Sequence, residues 1–190
     1  MNQKLTFCTV ILAGGRGTRM SGLDKGLIEW QGKPLIEHIL SQLECGSSDI
    51  MINANRNIPN YRNYGHTIIS DTLDDYQGPL AGILSAMLQC KHDYLLCLPC
   101  DSPSPPQKLA QRLMQCIDNE HKNTAICHDG TRLQPLFAMI HCDEQQRLIE
   151  FLSSGKRRVH DFFQQLDPAI CDFSDQPDHF YNFNTADDMK

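Results

Sequence analysis

A Rossmann-like three-layer α/β sandwich, built on a mainly parallel, mixed sheet, is the fold that this 190-residue sequence predicts. Three observations lead there. Short apolar runs alternate with segments whose apolar residues recur at helical spacing. The first run, Phe7 to Leu12, breaks into the glycines Gly14, Gly15 and Gly17, with the cations Arg19 and Lys25 close behind. Polar residues then close the successive strands, which is where ligands bind in open α/β sheets.

Each element has its own reason. Thr6 to Ala13 reads as a buried strand, and Leu27 to Trp30 as a short extended piece. Gly32-Lys33-Pro34 is a turn, with Pro34 suited to the first turn of a helix. That helix carries Leu35, Ile39 and Leu43, and Gly46-Ser47 stops it. Asp49 to Asn53 is a strand, Asn55 to Gly65 a polar loop containing Pro59, and Thr67 to Ser70 a strand ending at Asp71. Gly78-Pro79-Leu80-Ala81-Gly82 opens a helix to about Cys90, with Leu80, Leu84 and Met87 on one face. Asp93 to Leu98 is a central strand ending in Pro99-Cys100-Asp101, followed by a helix through Leu109, Leu113, Met114 and Ile117.

Thr124 to Cys127 and Pro135 to Ile140 are partner strands around an Asp129-Gly130 turn. Helices over Asp143 to Leu152 and Val159 to Leu166 lead to a strand at Ala169 to Asp172. Phe180 to Thr185 alternates, and Thr185 can cap a final short helix. There is no internal repeat and no linker long enough to divide the chain, so one domain over 1–190 is expected.

Composition excludes several classes. A net charge of −6 and a pI near 5.7 argue against nucleic acid or membrane as the main partner. No apolar run reaches a membrane span and no export signal opens the chain, so a cytosolic protein is expected. The nine cysteines are odd in number and scattered, which suits free thiols in a reducing compartment. Cys97 and Cys100 form a lone C-x-x-C with no second pair to make a zinc site. The eight histidines show no H-E-x-x-H spacing.

A strand running into a glycine-rich turn presents backbone N–H groups to an anion, and glycine lets the chain take positive φ and a phosphate approach closely. Arg19 can fork onto phosphate oxygens, and Lys25 is a mobile point charge for the leaving end. A P-loop would need G-K-[ST], whereas Lys25 sits in D-K-G. A dinucleotide fingerprint would need a third glycine where Met20 stands. The charge in the turn favours a nucleoside triphosphate over NAD.

The polar strand ends Gly14, Asn53, Asp71, Asp101 and Asn182/Asn184 are expected to meet in one crevice. Asp101 follows an apolar strand and a proline, so its carboxylate is held at a rigid strand end. One aspartate plus phosphate oxygens and water meets the needs of Mg²⁺; capping the next helix is its other possible duty. Asn53 and Asp71 can exchange hydrogen bonds with a nucleoside or serve as turn residues. The cluster Ser153-Ser154-Gly155-Lys156-Arg157-Arg158 is a second place for a phosphate, or else a solvated loop.

The wording L-A-G-G-x-G-x-R-M followed by D-K-G resembles the molybdenum cofactor guanylyltransferases of the MobA family, a branch of the nucleotidyltransferases. Related sugar enzymes usually carry L-A-A-G and P-K, and cytidylyltransferases for the same pterin tend to A-A-G. L-P-C-D at Leu98 to Asp101, G-P-L-A-G, G-x-R-R and N-x-N extend the resemblance over most of the chain. The resemblance implies transfer of GMP from GTP to molybdenum-molybdopterin, releasing pyrophosphate. It implies guanosine nucleotide contacts at Leu12, Ala13, Gly14, Gly15, Lys25, Asn53, Asp71 and Asp101, with Arg19, Lys25 and Asp101 catalytic and Mg²⁺ on Asp101. Arg157, Arg158, Asn182 and Asn184 would face the pterin. Residues to about 105 would bind GTP and residues from about 106 the pterin.

The expected partners are GTP, molybdenum-molybdopterin, and proteins that deliver the pterin or receive the product, around a monomer. The rival readings are a nucleotidyltransferase for CTP or a sugar phosphate, and a non-catalytic nucleotide-binding module. Compared with the family, an alanine or serine often replaces the second glycine, and the final helix is nearly absent here.

Overall fold

The computed structural model of the chain describes residues 6–15, 23–43, 47–72 and 78–183. Among these, the elements in order are β1 (Phe7–Leu12), β2 (Glu29–Trp30), β3 (Lys33–Pro34), α1 (Leu35–Gln42), β4 (Ser47–Asn53), α2 (Ile58–Arg62), β5 (Thr67–Ile69) and α3 (Pro79–Gln89). Then come β6 (Tyr94–Pro99), α4 (Leu109–Glu120), β7 (Thr124–His128), β8 (Leu133–His141), α5 (Gln145–Ser153), α6 (Val159–Leu166) and β9 (Ala169–Asp172). Seven strands form one sheet in the order β5-β4-β1-β6-β8-β7-β9. β8 alone runs against its neighbours, and β2 and β3 make a separate hairpin. The fold is the mixed, mostly parallel α/β sandwich that the sequence predicts.

The period-two pattern of the strands sorts their side chains into two cores. In β1, Phe7 and Ile11 enter the core under α1, α2 and α4, while Cys8, Val10 and Leu12 enter the core under α3, α5 and α6. β6 divides the same way, with Leu96 and Leu98 to the first core and Leu95 and Cys97 to the second. Both faces of the central strands are therefore dry, which is why they read as unbroken apolar runs.

After β1 the chain crosses to β4 on one side, then returns to β6 on the other. The strand order therefore reverses beside β1, and the crevice of an open α/β sheet lies at the carboxyl ends of such strands. The segment read as a polar loop contains α2. Asn57 takes the left-handed conformation ahead of it, Pro59 suits its first turn, and Tyr61 is fully buried. β8 begins earlier than expected, and the register shift at Ile126/Cys127 takes up Pro135, which has no N–H to give the ladder. Phe180 ends a 3₁₀ turn, not a strand, and packs edge-on against Phe137 and Phe173. Thr185 and the final helix lie outside the described residues.

Candidate active site

The carboxyl ends of β1, β4 and β6 open onto a cleft of about 260 Å³, near the lower limit of small-molecule sites (roughly 300–1,000 Å³). Ala13, Gly14 and Gly15 form one wall, Asn53 and Asp71 another, and Lys25 and Asp101 stand across from the turn. Gly78 and Pro79, at the start of α3, complete the rim with Leu136 of β8. Of the strand-end set, Gly14, Asn53, Asp71 and Asp101 meet here. Arg19 and Asn184 lie outside the described residues.

Lys25 Nζ donates to Asp101 Oδ2 at 2.8 Å, and both side chains are mostly buried. The D-K-G tripeptide explains how the lysine is aimed. Asp24 is buried and accepts from the Tyr61 hydroxyl at 2.5 Å and from Asn57 Nδ2 at 3.1 Å. The Arg56 guanidinium lies 3.7 Å from the same carboxylate. A side chain at Gly26 would start 2.6 Å from the Tyr61 hydroxyl, so only glycine lets the turn lie against that ring. With Asp24 anchored below and Gly26 pressed on Tyr61, Lys25 between them is directed into the cleft. Burial, with Asp24 beside it, pushes the Tyr61 phenol well above its ordinary range and keeps it a donor.

The opposite wall is a network of amides around one acid. Asn53 Nδ2 donates to Asp71 Oδ1 at 2.9 Å and Asn55 Nδ2 to Asp71 Oδ2 at 2.7 Å. The Asp71 N–H donates back to Asn55 Oδ1 at 2.8 Å, and Asn55 Nδ2 also reaches the Gly14 carbonyl at 3.1 Å. Asn55 thus ties Asp71 to the glycine turn. Sequence reading passed over it, although the N-A-N wording was its signal. Gly82 is the second glycine of G-P-L-A-G, and a side chain there would meet Asn53 Oδ1 at 2.4 Å. Its absence lets α3 bring its N-terminus to the cleft. Gly14 and Gly15 do not take positive φ, contrary to expectation. Gly14 is instead a matter of space, since a Cβ would lie 2.7 Å from Asn53 Oδ1.

The second candidate patch is partly built. Ser102 Oγ donates to Asn182 Oδ1 at 2.6 Å, and the Phe183 N–H donates to the Asp101 carbonyl at 2.8 Å. Asn182 is therefore held one residue from the metal candidate, beside the cleft. Arg157 turns back on its own chain and donates to the carbonyls of Leu152 and Lys156, both at 2.6 Å. Arg158 is exposed ahead of α6. Because α5 runs back along α3, this loop returns to the carboxyl end of the sheet. Cys97 and Cys100 are both buried, and burial pushes both thiols up, so the C-x-x-C holds two inert thiols.

A glycine turn, a lysine and a strand-end aspartate around one crevice of a mixed α/β sheet define a nucleotidyltransferase. Residues 9–169 match the model of the MobA-like NTP transferase domain, and the chain belongs to that family. It is 40% identical to a molybdenum cofactor guanylyltransferase of Pasteurella multocida, covering 98% of each chain. It is 42% identical to one from Histophilus somni, covering 97% of this chain and 95% of that one. Among solved structures, molybdopterin-guanine dinucleotide biosynthesis protein A from Archaeoglobus fulgidus superposes with a TM-score of 0.77 at 20% identity. That match covers 96% of this chain and 94% of the other. A nucleotidyl transferase from Methanothermobacter superposes with a TM-score of 0.72 at 17% identity, so the fold persists where little sequence does. No helix among the described residues is long and apolar enough to cross a membrane.

Proposed function

We propose that this chain transfers GMP from GTP to the terminal phosphate of molybdenum-molybdopterin, forming the guanine dinucleotide cofactor and pyrophosphate. The Lys25–Asp101 contact at 2.8 Å, in the same cleft as the glycine turn, is the observation that carries the reading. Relatives of that name, about 40% identical over nearly their whole length, support guanosine as the base and the pterin as acceptor.

An oxygen of the pterin phosphate attacks the α-phosphorus of GTP in line. A new P–O bond forms, the bond to the β-phosphate oxygen breaks, and pyrophosphate leaves with its electron pair. The protein forms no covalent intermediate; it positions two anions and cancels charge. The backbone at Leu12 to Gly15 lies along the phosphates, and Lys25 leaves Asp101 to meet the departing pyrophosphate. Arg19 adds a fork on the same phosphates. Asn53 and Asp71, bonded to each other with Asp71 also held by Asn55, read the nucleoside with their remaining lone pairs and donors. Asn182, held next to Asp101 through Ser102, receives the pterin together with Asn184 and with Arg157 and Arg158 of the basic loop. The part of the chain to about residue 105 thus serves GTP and the remainder the pterin.

The donor set suits magnesium: a single hard carboxylate at a rigid strand end, facing an open cleft where phosphate oxygens and water complete the shell. Bound on Asp101, Mg²⁺ would supply neutralisation of the triphosphate.

Thermal shifts with GTP, CTP and UTP, each with Mg²⁺, test the base. GTP is expected to raise the midpoint most, and an equal or larger rise with CTP would overturn guanosine specificity. Pyrophosphate release from GTP that appears only when the molybdenum-loaded pterin is added separates a transferase from a nucleotide sensor.

A further inference from the structure

At the other end of the sheet, soft and hard metal ligands converge from three separate elements. Cys8 of β1, Asp49 of β4 and His92 of the α3–β6 turn each offer one ligand atom, and these atoms lie within 4.8 Å of one another. Cys8 and Asp49 are register partners on adjacent parallel strands, so the sheet itself sets their spacing. His92 Nε2 stands 3.3 Å from Asp49 Oδ2. Cys90, two residues before His92, neighbours Cys8 and Cys142, and its thiol donates to the carbonyls of His92 and Tyr94 at 3.4 and 3.6 Å. Cys8 lies four residues before Leu12, roughly 13 Å along the strand at about 3.3 Å per residue, so the cluster is separate from the cleft.

We propose that this cluster is a binding site for a zinc-class divalent ion, with Cys8, Asp49 and His92 as ligands and Cys90 as the fourth donor. Two thiols, an imidazole and a carboxylate make a four-donor set whose softness selects zinc over magnesium or calcium. Cys8 forms the buried inner side, with Cys90 half-buried beside it. Asp49, with a side chain 59% exposed, and His92 form the open side through which an ion enters. Cys142, a neighbour of Cys90, acts as the outer partner that orients a ligating sulfur. The bound ion would fasten the turn after α3 to the first strands of both crossovers.

Cobalt(II) titrated into the reduced, metal-free full-length chain tests this, since thiolate ligation gives charge-transfer absorption in the near ultraviolet. One equivalent is expected to bind, zinc to displace it, and the thermal midpoint to rise with either metal. His92→Ala and Cys90→Ala should each weaken binding by at least the roughly 10–100-fold seen when even an outer partner is lost. Asp49→Asn, at an exposed position, should weaken it while leaving the unfolding transition of the metal-free chain unchanged. The absence of thiolate absorption at one equivalent would overturn the site. So would a band that survives intact in both the His92 and Cys90 variants, because the ion would then sit on other cysteines.

Discussion

At its carboxyl end β1 hands the chain to a glycine turn facing Lys25 and Asp101; at its amino end it sets Cys8 beside Asp49 and His92. The same strand serves both, yet the chemistry differs. The carboxyl end gathers oxygen and nitrogen groups around an open space, suited to phosphates and a hard cation. The amino end gathers sulfur against the core. The cause is the strand between them, whose residues are buried on both faces and have no room for polar groups. Function is pushed to the two rims, and what each rim does depends on what the loops bring.

The sharpest way to break this contrast is Asp101→Asn. Turnover should fall by about 10²–10³-fold, the scale of losing one key electrostatic stabiliser. Unfolding free energy should move by no more than about 1 kcal/mol, because a partly solvated ion pair contributes little. Pyrophosphate release and a urea titration measure the two, and turnover within tenfold of the parent would sink the role given to that acid.

Gly82→Ala comes next. The new methyl would lie 2.4 Å from Asn53 Oδ1, so α3 must back away from the cleft at a cost of about 1–3 kcal/mol. GTP affinity should weaken in the same variant, read by the nucleotide concentration that half-saturates the thermal shift. If stability and GTP affinity both stay at parental values, close approach is not what that glycine provides.

The smallest effect concerns acid. Asp129 closes β7 near the carboxyl end, and burial alone would push its carboxyl up. Hydrogen bonds from Thr131 and Gln134 side chains and from the Arg132 and Thr131 N–H groups instead hold it below the usual carboxylate range. A depressed folded pKa gives stability that is complete above the unfolded value of about 3.9 and fades as pH drops through the folded one. Asp129→Asn should therefore cost about 1 kcal/mol at neutral pH and flatten the acid limb of the stability curve below pH ~4. Denaturant midpoints at neutral and acid pH check this, and parallel curves for the two proteins would count against it.

Much of the carboxyl rim was legible in the sequence, because a strand that ends in glycine, asparagine or aspartate announces where its polar group goes. Gly14, Asn53, Asp71 and Asp101 needed only the rule that parallel strands share a carboxyl end. The supports were not legible. Tyr61 and Asp24 are 37 residues apart, and α2 looked like a loop because Tyr61 is its one fully buried side chain. Arg157 stands out in the sequence as one of three adjacent cations, whereas the Leu152 and Lys156 carbonyls that take its Nη1 and set its direction are displayed by no sequence pattern. The amino rim was hidden for the same reason. Cys8, Asp49 and His92 belong to no motif and meet only because β1 and β4 pair in that register.

The lysine–aspartate contact means that the crevice carries its own counter-ion. An incoming triphosphate with its cation would then not fill an uncompensated hole; it would swap partners, the lysine passing to phosphate as the aspartate passes to metal. Each of the two side chains keeps an opposite charge through such an exchange, so neither is left stranded in the half-buried crevice as the triphosphate binds.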